Sequence, residues 1–390
     1  MKTAIWLYLF LFVALFDLHA QYPILTPYAI SLGAAPSFIG LMMGMYSITH
    51  VPGNIIAGFS VDRYGSRLFI VLSLLLAGVI LLFQAHVTNP WQLLLLRSIS
   101  GFVLAFLSPA CMTLLAKIAN DHIVQGKLMA GNGLVHTLAS IVSPAAGAIL
   151  VAKIGFGPAF SLLGWALIVI AICALVFIRD IRTQPSTAPP VSLHAASQPA
   201  IAEEGTAGPY MWIAFLLPIA ISCSQGILFF ELPLMDTSEA GIMATGLLFS
   251  VVSIGSLITL SMLFLNRFSP FIRTMSGTGL LALAYFVLAY DGVVPLYMIL
   301  LVVGMAKGIV FPAMSTLFIM LSGRERYGRM FSFMSIAFSV GAFIGPMMAG
   351  VLRDHVSSYY IGFVILMLVM AVLPLHTIRP SGYKVSGRMR

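Results

Sequence analysis

A chain of 390 residues that is 60% hydrophobic, only 8% charged and of mean hydropathy +1.04 lacks the polar surface that a water-soluble fold of this length needs. Its net charge of +8 would suggest a nucleic-acid partner in a soluble protein, but in so apolar a chain the cations have a simpler use at a lipid surface. The composition therefore excludes a soluble enzyme or nucleic-acid binder and points to an all-α polytopic membrane protein.

Apolar runs of about 20 residues, the length a helix needs to cross hydrocarbon, recur along the chain. They lie at 4–28, 37–60, 68–86, 91–116, 129–152, 158–178, 211–235, 241–265, 274–290, 295–321, 330–352 and 358–377, which makes twelve. Spans of a β-barrel would be about ten residues long with alternating polarity, and these runs do not alternate. The first run, with Lys2 ahead of it and Ala20 at a small-residue position, has the look of a secretory signal. Asp17 sits badly in a signal, and the repeat described below requires the run as a first helix, so it is read as a retained span.

Between the second and third runs the stretch "GFSVDRYGSR" gathers Asp62, Arg63 and Arg67 between Gly58, Gly65 and very apolar flanks. The fourth run carries Arg97 and the fifth the series Ala139, Ser143, Pro144, Gly147. Cys111, Cys173 and Cys223 all fall inside apolar runs, so no disulfide framework is expected. After the sixth run, residues 183–210 are rich in Pro, Ala and Ser and read as a flexible linker. The linker divides the chain into a first half, 1–182, and a second half, 211–378, followed by a tail, 379–390.

The halves repeat. Asp62-Arg63-Tyr64 is echoed by Asn266-Arg267-Phe268, Pro109 by Pro312, and Pro144 by Pro346 beside Gly341 and Gly345, all at offsets of 202 to 204 residues. Three correspondences at one offset argue for duplication. An even number of spans per half makes the repeat a parallel one, and transporters built this way hold substrate between the halves near the membrane midplane. Sixteen Lys and Arg fall in the tails and loops that share a side with the N-terminus, against Lys153 and Arg353 opposite. That bias puts both termini in the cytoplasm, with the plasma membrane as the expected location.

These residues resemble a known family. "GFSVDRYGSR" is similar to the loop signature G-x-x-x-D-R-x-G-R of the major facilitator superfamily, and "RSISG" from Arg97 to Gly101 resembles the R-x-x-x-G element of its proton-coupled members. The Ala139–Gly147 series is similar to the G-x-x-x-G-P-x-x-G element of the drug:proton antiporter branch, with Ala and Ser in place of the leading glycines. The resemblance implies the twelve-helix major facilitator fold in two pseudo-symmetric halves, whose first, fourth, seventh and tenth spans line a central cavity. Those four spans contain Asp17, Arg97, Glu231 and Lys307, the full charges embedded in hydrocarbon.

Charge within a membrane is costly and usually functional. Asp17 is expected to exchange a proton, with Arg97 as its partner, and His50 is a candidate relay beside His19 and His136. An alternative is a structural network in which two acids and two bases neutralise one another. Gly58 and Gly65 are expected to allow tight backbone approach and turning where two helices meet, and the loop of Gly58, Asp62, Arg63, Gly65 and Arg67 to latch the halves in one state of an alternating cycle. Pro144 and Pro346 with their small neighbours are expected to bend helices and bring them close. No nucleophile, zinc or nucleotide-binding motif is present, so neither an enzyme nor a cofactor is expected, and energy would come from a proton gradient.

The functional expectation is a monomeric, proton-coupled exporter of small amphipathic compounds, with protons, small molecules and membrane lipids as its partners. A carrier of an anionic metabolite held by Arg97 and Lys307, a lipid flippase, and a non-transporting membrane scaffold are the alternatives.

Overall fold

The computed structural model describes residues 2–118, 122–178, 213–290, 294–322 and 327–373. Among them every regular element is a helix, arranged in twelve passes numbered here in chain order. Span 1 is Lys2–Ala20 and Tyr22–Ser31, span 2 Pro36–Tyr64, span 3 Ser66–Gln84, span 4 Pro90–Leu104 and Leu107–Ile118, span 5 His122–Ile154, and span 6 Phe156–Phe177. Span 7 is Leu216–Glu231 with a 3-10 turn Leu232–Leu234, span 8 Glu239–Ser261, span 9 Pro270–Ala289, span 10 Leu296–Ser322, span 11 Tyr327–Leu352, and span 12 Ser358–Val372.

Ten of the passes are long and apolar enough to cross a membrane by length and composition. The others are span 2, 29 residues long but diluted by Gly, His and Asn, and span 12, apolar but only 15 residues. The expected linker, 183–210, and the tail, 379–390, lie outside the described residues, as does the side chain of Asp62.

Local chemistry explains the boundaries. Spans 2, 4 and 9 each begin on a proline, where a missing N–H costs nothing. Asn89 accepts a hydrogen bond from the Trp91 N–H at 2.9 Å and caps span 4. Spans 2 and 3 meet at Gly65, whose φ of +92° is a conformation that side chains disfavour. Span 1, expected as one helix, is interrupted at Gln21, because Pro23 has no N–H to continue the ladder. Pro109 has the same effect on span 4, which breaks at Ala105 and Phe106.

Packing follows the repeat. Within the first six passes, span 1 packs on span 5, span 2 on span 4, and span 3 on span 6; the second six pair as 7 with 11, 8 with 10, and 9 with 12. Adding six to each number of the first set yields the second, which is the contact pattern of two related halves. One buried cluster includes Leu7, Phe10, Leu74 and Phe160 from the first half and reaches into span 7 at Cys223 and Ile227. The other, around Tyr285, Leu300, Met314 and Phe318, belongs to the second half.

The halves join along two seams, span 2 against span 11 and span 5 against span 8. In the first seam Gly40 faces the carbonyl of Pro346, Gly44 faces Phe343, and Gly350 faces Pro36. In the second, Gly246 faces Pro144 and Ala148. All these residues lie toward one end of the bundle, where span 1 passes into span 2; we call it the closed end. Toward the other end the same helices expose Ile55, Phe59, Leu134 and Leu260. Small residues thus hold the halves together at one end, while at the other, which we call the open end, the same helices carry larger, exposed apolar side chains.

Candidate functional site

The break in span 1 organises the site. It places Gln21 and Tyr22 in the wall of a cavity of about 300 Å³ that spans 1, 2, 4, 7, 10 and 11 enclose. One turn before the break, Asp17 is 2% exposed, as is Gln21, and the Arg97 side chain arriving from span 4 belongs to a residue 4% exposed. Gln21 Nε2 donates to Asp17 Oδ1 at 2.9 Å, and Arg97 donates to Gln21 Oε1 at 2.6 Å. The expected Asp17–Arg97 pairing therefore exists through an amide, not as a direct ion pair. The Arg97 guanidinium also lies over the Tyr46 ring, 4.5 Å from its centroid, a favourable cation–π arrangement. Its Nε is buried without a hydrogen-bond partner.

A second cavity of about 240 Å³ lies among spans 1, 5, 7, 8 and 10. Tyr22, Gln225, Phe229 and Phe311 line both, so the two are neighbouring chambers. Tyr22 and Phe229 stack with centroids 4.2 Å apart where the chambers adjoin, and Phe249 meets the Phe229 ring edge-on at 5.2 Å from the second chamber. The second chamber contains Lys307, His19 and His136. The two imidazoles meet edge to face at 5.5 Å. His19 Nδ1 is 2.8 Å from the Leu15 carbonyl, which can only accept, so Nδ1 carries the hydrogen. Lys307 Nζ lies 5.9 Å from the ring centroids of Phe229 and Phe311. Leu260, one residue from the end of span 8, also lines this chamber, which thereby extends toward the open end.

The remaining sequence candidates are dispersed. His50 is one turn from Tyr46 with Nδ1 3.3 Å from Asn54 Nδ2, and it lines neither chamber. Glu231 caps the far end of span 7, where it pairs with Arg353 at 3.7 Å and accepts a hydrogen bond from Ser358 at 2.6 Å. It therefore joins spans 7, 11 and 12 at the closed end instead of lining either chamber. Asp17, Arg97, Glu231 and Lys307 form no ion pair with one another, so a neutral network of all four buried charges is not what the structure contains.

The small-residue series do pack closely. Gly147 faces Ala20 of span 1, Gly341 and Gly345 face the Ile219 and Cys223 carbonyls of span 7, and Pro346 touches Gly226. Ala139 is buried, and Ser143 donates to its carbonyl at 2.5 Å beside Pro144. In the loop signature Arg67 donates to the Leu175 carbonyl at the end of span 6, 2.6 Å away, and Arg63 lies over Tyr64 at 5.4 Å. Gly58 departs from expectation: a methyl group there would meet open space, so close approach does not require glycine at that position.

Sequence reasoning misses Gln21, Tyr22, Tyr46 and Phe229. Gln21 has a readable signal, being a polar residue one helical turn after Asp17 on the same face. Tyr46 and Phe229 have none, because aromatic residues are common throughout so apolar a chain.

Comparison with known proteins places this geometry in a family. Residues 7–302 and 275–387 match the Major Facilitator Superfamily. The chain is 30% identical over 159 residues to an uncharacterized MFS-type transporter of Methanocaldococcus jannaschii, 41% of each chain. It is 32% identical over 145 residues to multidrug resistance protein MdtG of Salmonella arizonae, 35% of each chain. The matched stretch is thus less than half the length of either curated relative. Among solved structures, a bacterial homologue of the human lysosomal transporter Spinster superposes with a TM-score of 0.76 in its inward-facing, occupied conformation, at 15% identity over 95% of both chains. Its unoccupied inward-facing conformation gives 0.69 over 96% of this chain and 94% of that one, also at 15% identity. Two six-helix sets related by a shift of six, two seams of small residues and a central cavity agree with the family match across nearly the whole sequence: the chain belongs to the major facilitator superfamily.

Proposed function

We propose that this chain is a proton-coupled secondary transporter of small amphipathic compounds that works by alternating access, and that the compounds it takes carry an anionic group. The observation that supports this reading most is the Asp17–Gln21–Arg97 chain, whose Gln21 and Arg97 stand in the wall of an aromatic cavity with Asp17 buried behind them. An ionised carboxylate only accepts hydrogen bonds, so Gln21 must offer its NH2 to Asp17 and its carbonyl to Arg97. A proton on Asp17 turns that carboxyl into a donor, which competes with Arg97 for the same Gln21 oxygen. It also removes the negative charge closest to Arg97. Arg97 is then free to bind an acidic group in the cavity, while the surrounding rings accept the ligand's apolar part.

The linkage has a definite sign. A proton on Asp17 raises the affinity of Arg97 for an anion, and by reciprocity a bound anion favours the proton. Proton and anion therefore bind together and move in one direction. The open end, cytoplasmic if the charge bias sets the orientation, is where they enter or leave in the state described here. Export by exchange for protons is the second reading, favoured by the likeness to a multidrug resistance protein over 145 residues. It requires the opposite sign, with the proton expelling the compound.

The test uses purified protein in liposomes that enclose a pH-sensitive dye, with protein-free liposomes as control. Aryl sulfonates and lipophilic cations are added outside; sulfonates remain anionic and do not carry protons across lipid unaided. Interior acidification driven by sulfonates, and lost in Asp17→Asn, supports the first reading. Alkalinisation driven by lipophilic cations supports export by exchange. Absence of any compound-driven proton movement overturns proton coupling.

A further inference from the structure

The Lys307 chamber has no place in the coupling chain of Asp17, Gln21 and Arg97. Its cation has neither a hydrogen bond nor an ion pair among the described residues, and it lies over the faces of Phe229 and Phe311. Both histidines beside it are neutral or cationic, and no carboxylate lines the chamber. The hydroxyls of Thr137, Ser140, Ser253 and Ser256 are spent as donors on the carbonyls of Gly133, Thr137, Phe249 and Gly304. Those oxygens therefore present lone pairs. For an acidic group the principal donor in this chamber is the Lys307 ammonium itself.

Arg97 and Lys307 thus stand in adjoining chambers, on either side of the Tyr22–Phe229 stack, each without a carboxylate of its own in contact. A monoanion bound at Arg97 leaves Lys307 as an uncompensated charge in a low-dielectric wall, which is costly. We propose that the Lys307 chamber is a second anion subsite and that the transported class is an elongated amphipathic dianion, with one acidic group on Arg97, the other on Lys307, and an apolar middle against Tyr22 and Phe229. This deepens the proposed function and rests on it. The two chambers, about 300 and 240 Å³, provide room for two polar ends, and the four residues they share provide a largely aromatic waist.

The experiment measures binding of unbranched alkane-α,ω-disulfonates of increasing chain length, each against its matched monosulfonate, to the purified full chain by titration calorimetry. At one length the disulfonate is expected to bind about tenfold or more tighter than its monosulfonate, as one added charge-assisted contact implies. Lys307→Gln should abolish that preference and leave monosulfonate affinity within about twofold, because the monoanion binds at Arg97. Lys307→Met, which also lacks the charge, serves as a second variant, and the wild-type length series stands without either. No disulfonate preference at any length, or equal weakening of both ligands by Lys307→Gln, overturns the second subsite and leaves the proposed function intact. If wild type binds no sulfonate at all, both are overturned.

Discussion

The two chambers contain one cation each, and their surroundings differ. Arg97 is tied through one amide to a carboxylate whose charge can change, whereas Lys307 faces two rings and two imidazoles with no acid in reach. A cation wired to a titrating acid can have its affinity for a ligand set by a proton. A cation without such wiring supplies charge but no coupling. Flat, bidentate arginine stacked on Tyr46 suits the first task, and a compact ammonium on a flexible stem suits the second.

The largest expected effect separates the two cations directly. Arg97→Gln removes the group at the end of the proposed coupling chain, and anion affinity should fall about 10- to 100-fold, the range of a charged hydrogen bond. Arg97→Lys should rescue it only in part, because an ammonium cannot both stack on Tyr46 and reach Gln21 in the geometry a guanidinium allows. Calorimetric titration with an aryl sulfonate measures both; undiminished affinity in Arg97→Gln would move the primary site to Lys307 and reverse the comparison.

Breaking the wire should be milder than removing its end. In Gln21→Leu the Arg97 charge remains, so anions should still bind, but the rise of affinity toward low pH should shrink to the through-space effect of Asp17 alone. The expected change is about 5-fold between the two protonation states, the low end of coupling between linked sites. Asp17→Asn should flatten the same profile, fixed near its low-pH value. The sign follows from charge: protonating Asp17 removes a negative neighbour from Arg97, so anion affinity in wild type increases as pH falls. A profile unchanged in both variants would relieve Asp17 of any coupling role.

The waist between the chambers offers a smaller effect. Tyr22→Ala widens the waist that Tyr22 and Phe229 build, and an aromatic pair is worth about 0.5–1.5 kcal/mol. Selectivity among ligands of different length should therefore change by about two- to tenfold, with less loss for bulky compounds than for slender ones. Equal change for every ligand would mean that the stack supports the fold and does not divide the site.

Much of this architecture is legible in the amino-acid sequence. Twelve apolar runs and three echoes at one offset carry the helix count and the duplication, because hydrocarbon permits few other solutions. Asp17, Arg97 and Lys307 stand out for the same reason: a charge in such surroundings has few bland explanations. Gly65 is legible as a turn and adopts φ +92°, whereas Gly58, read by the same rule, faces open space. A motif's spacing cannot distinguish a glycine needed for backbone freedom from one that merely fits. The partners are the hidden part. That Gln21 bridges Asp17 to Arg97, and that Glu231 finds Arg353 and Ser358, depends on how separate helices are turned toward one another. Nothing local in the chain encodes that rotation in readable form.

Glu231 therefore provides the smallest expected effect and the control for the comparison. On charge alone it is a cavity candidate, yet its carboxylate lies at the closed end between Arg353 and Ser358. Glu231→Gln keeps an oxygen that can accept from Ser358 and loses only an ion pair whose arginine side chain is 29% exposed. Such a pair contributes about 0–1 kcal/mol once solvent screening is counted. Thermal unfolding should change little, and neither sulfonate binding nor its dependence on pH should move. Loss of proton-linked transport in Glu231→Gln, with stability and binding preserved, would show that the acid at the closed end takes part in the cycle when the halves part there. Coupling would then depend on two acids used in turn, and the contrast between a wired and an unwired chamber would describe only the state with the closed end sealed.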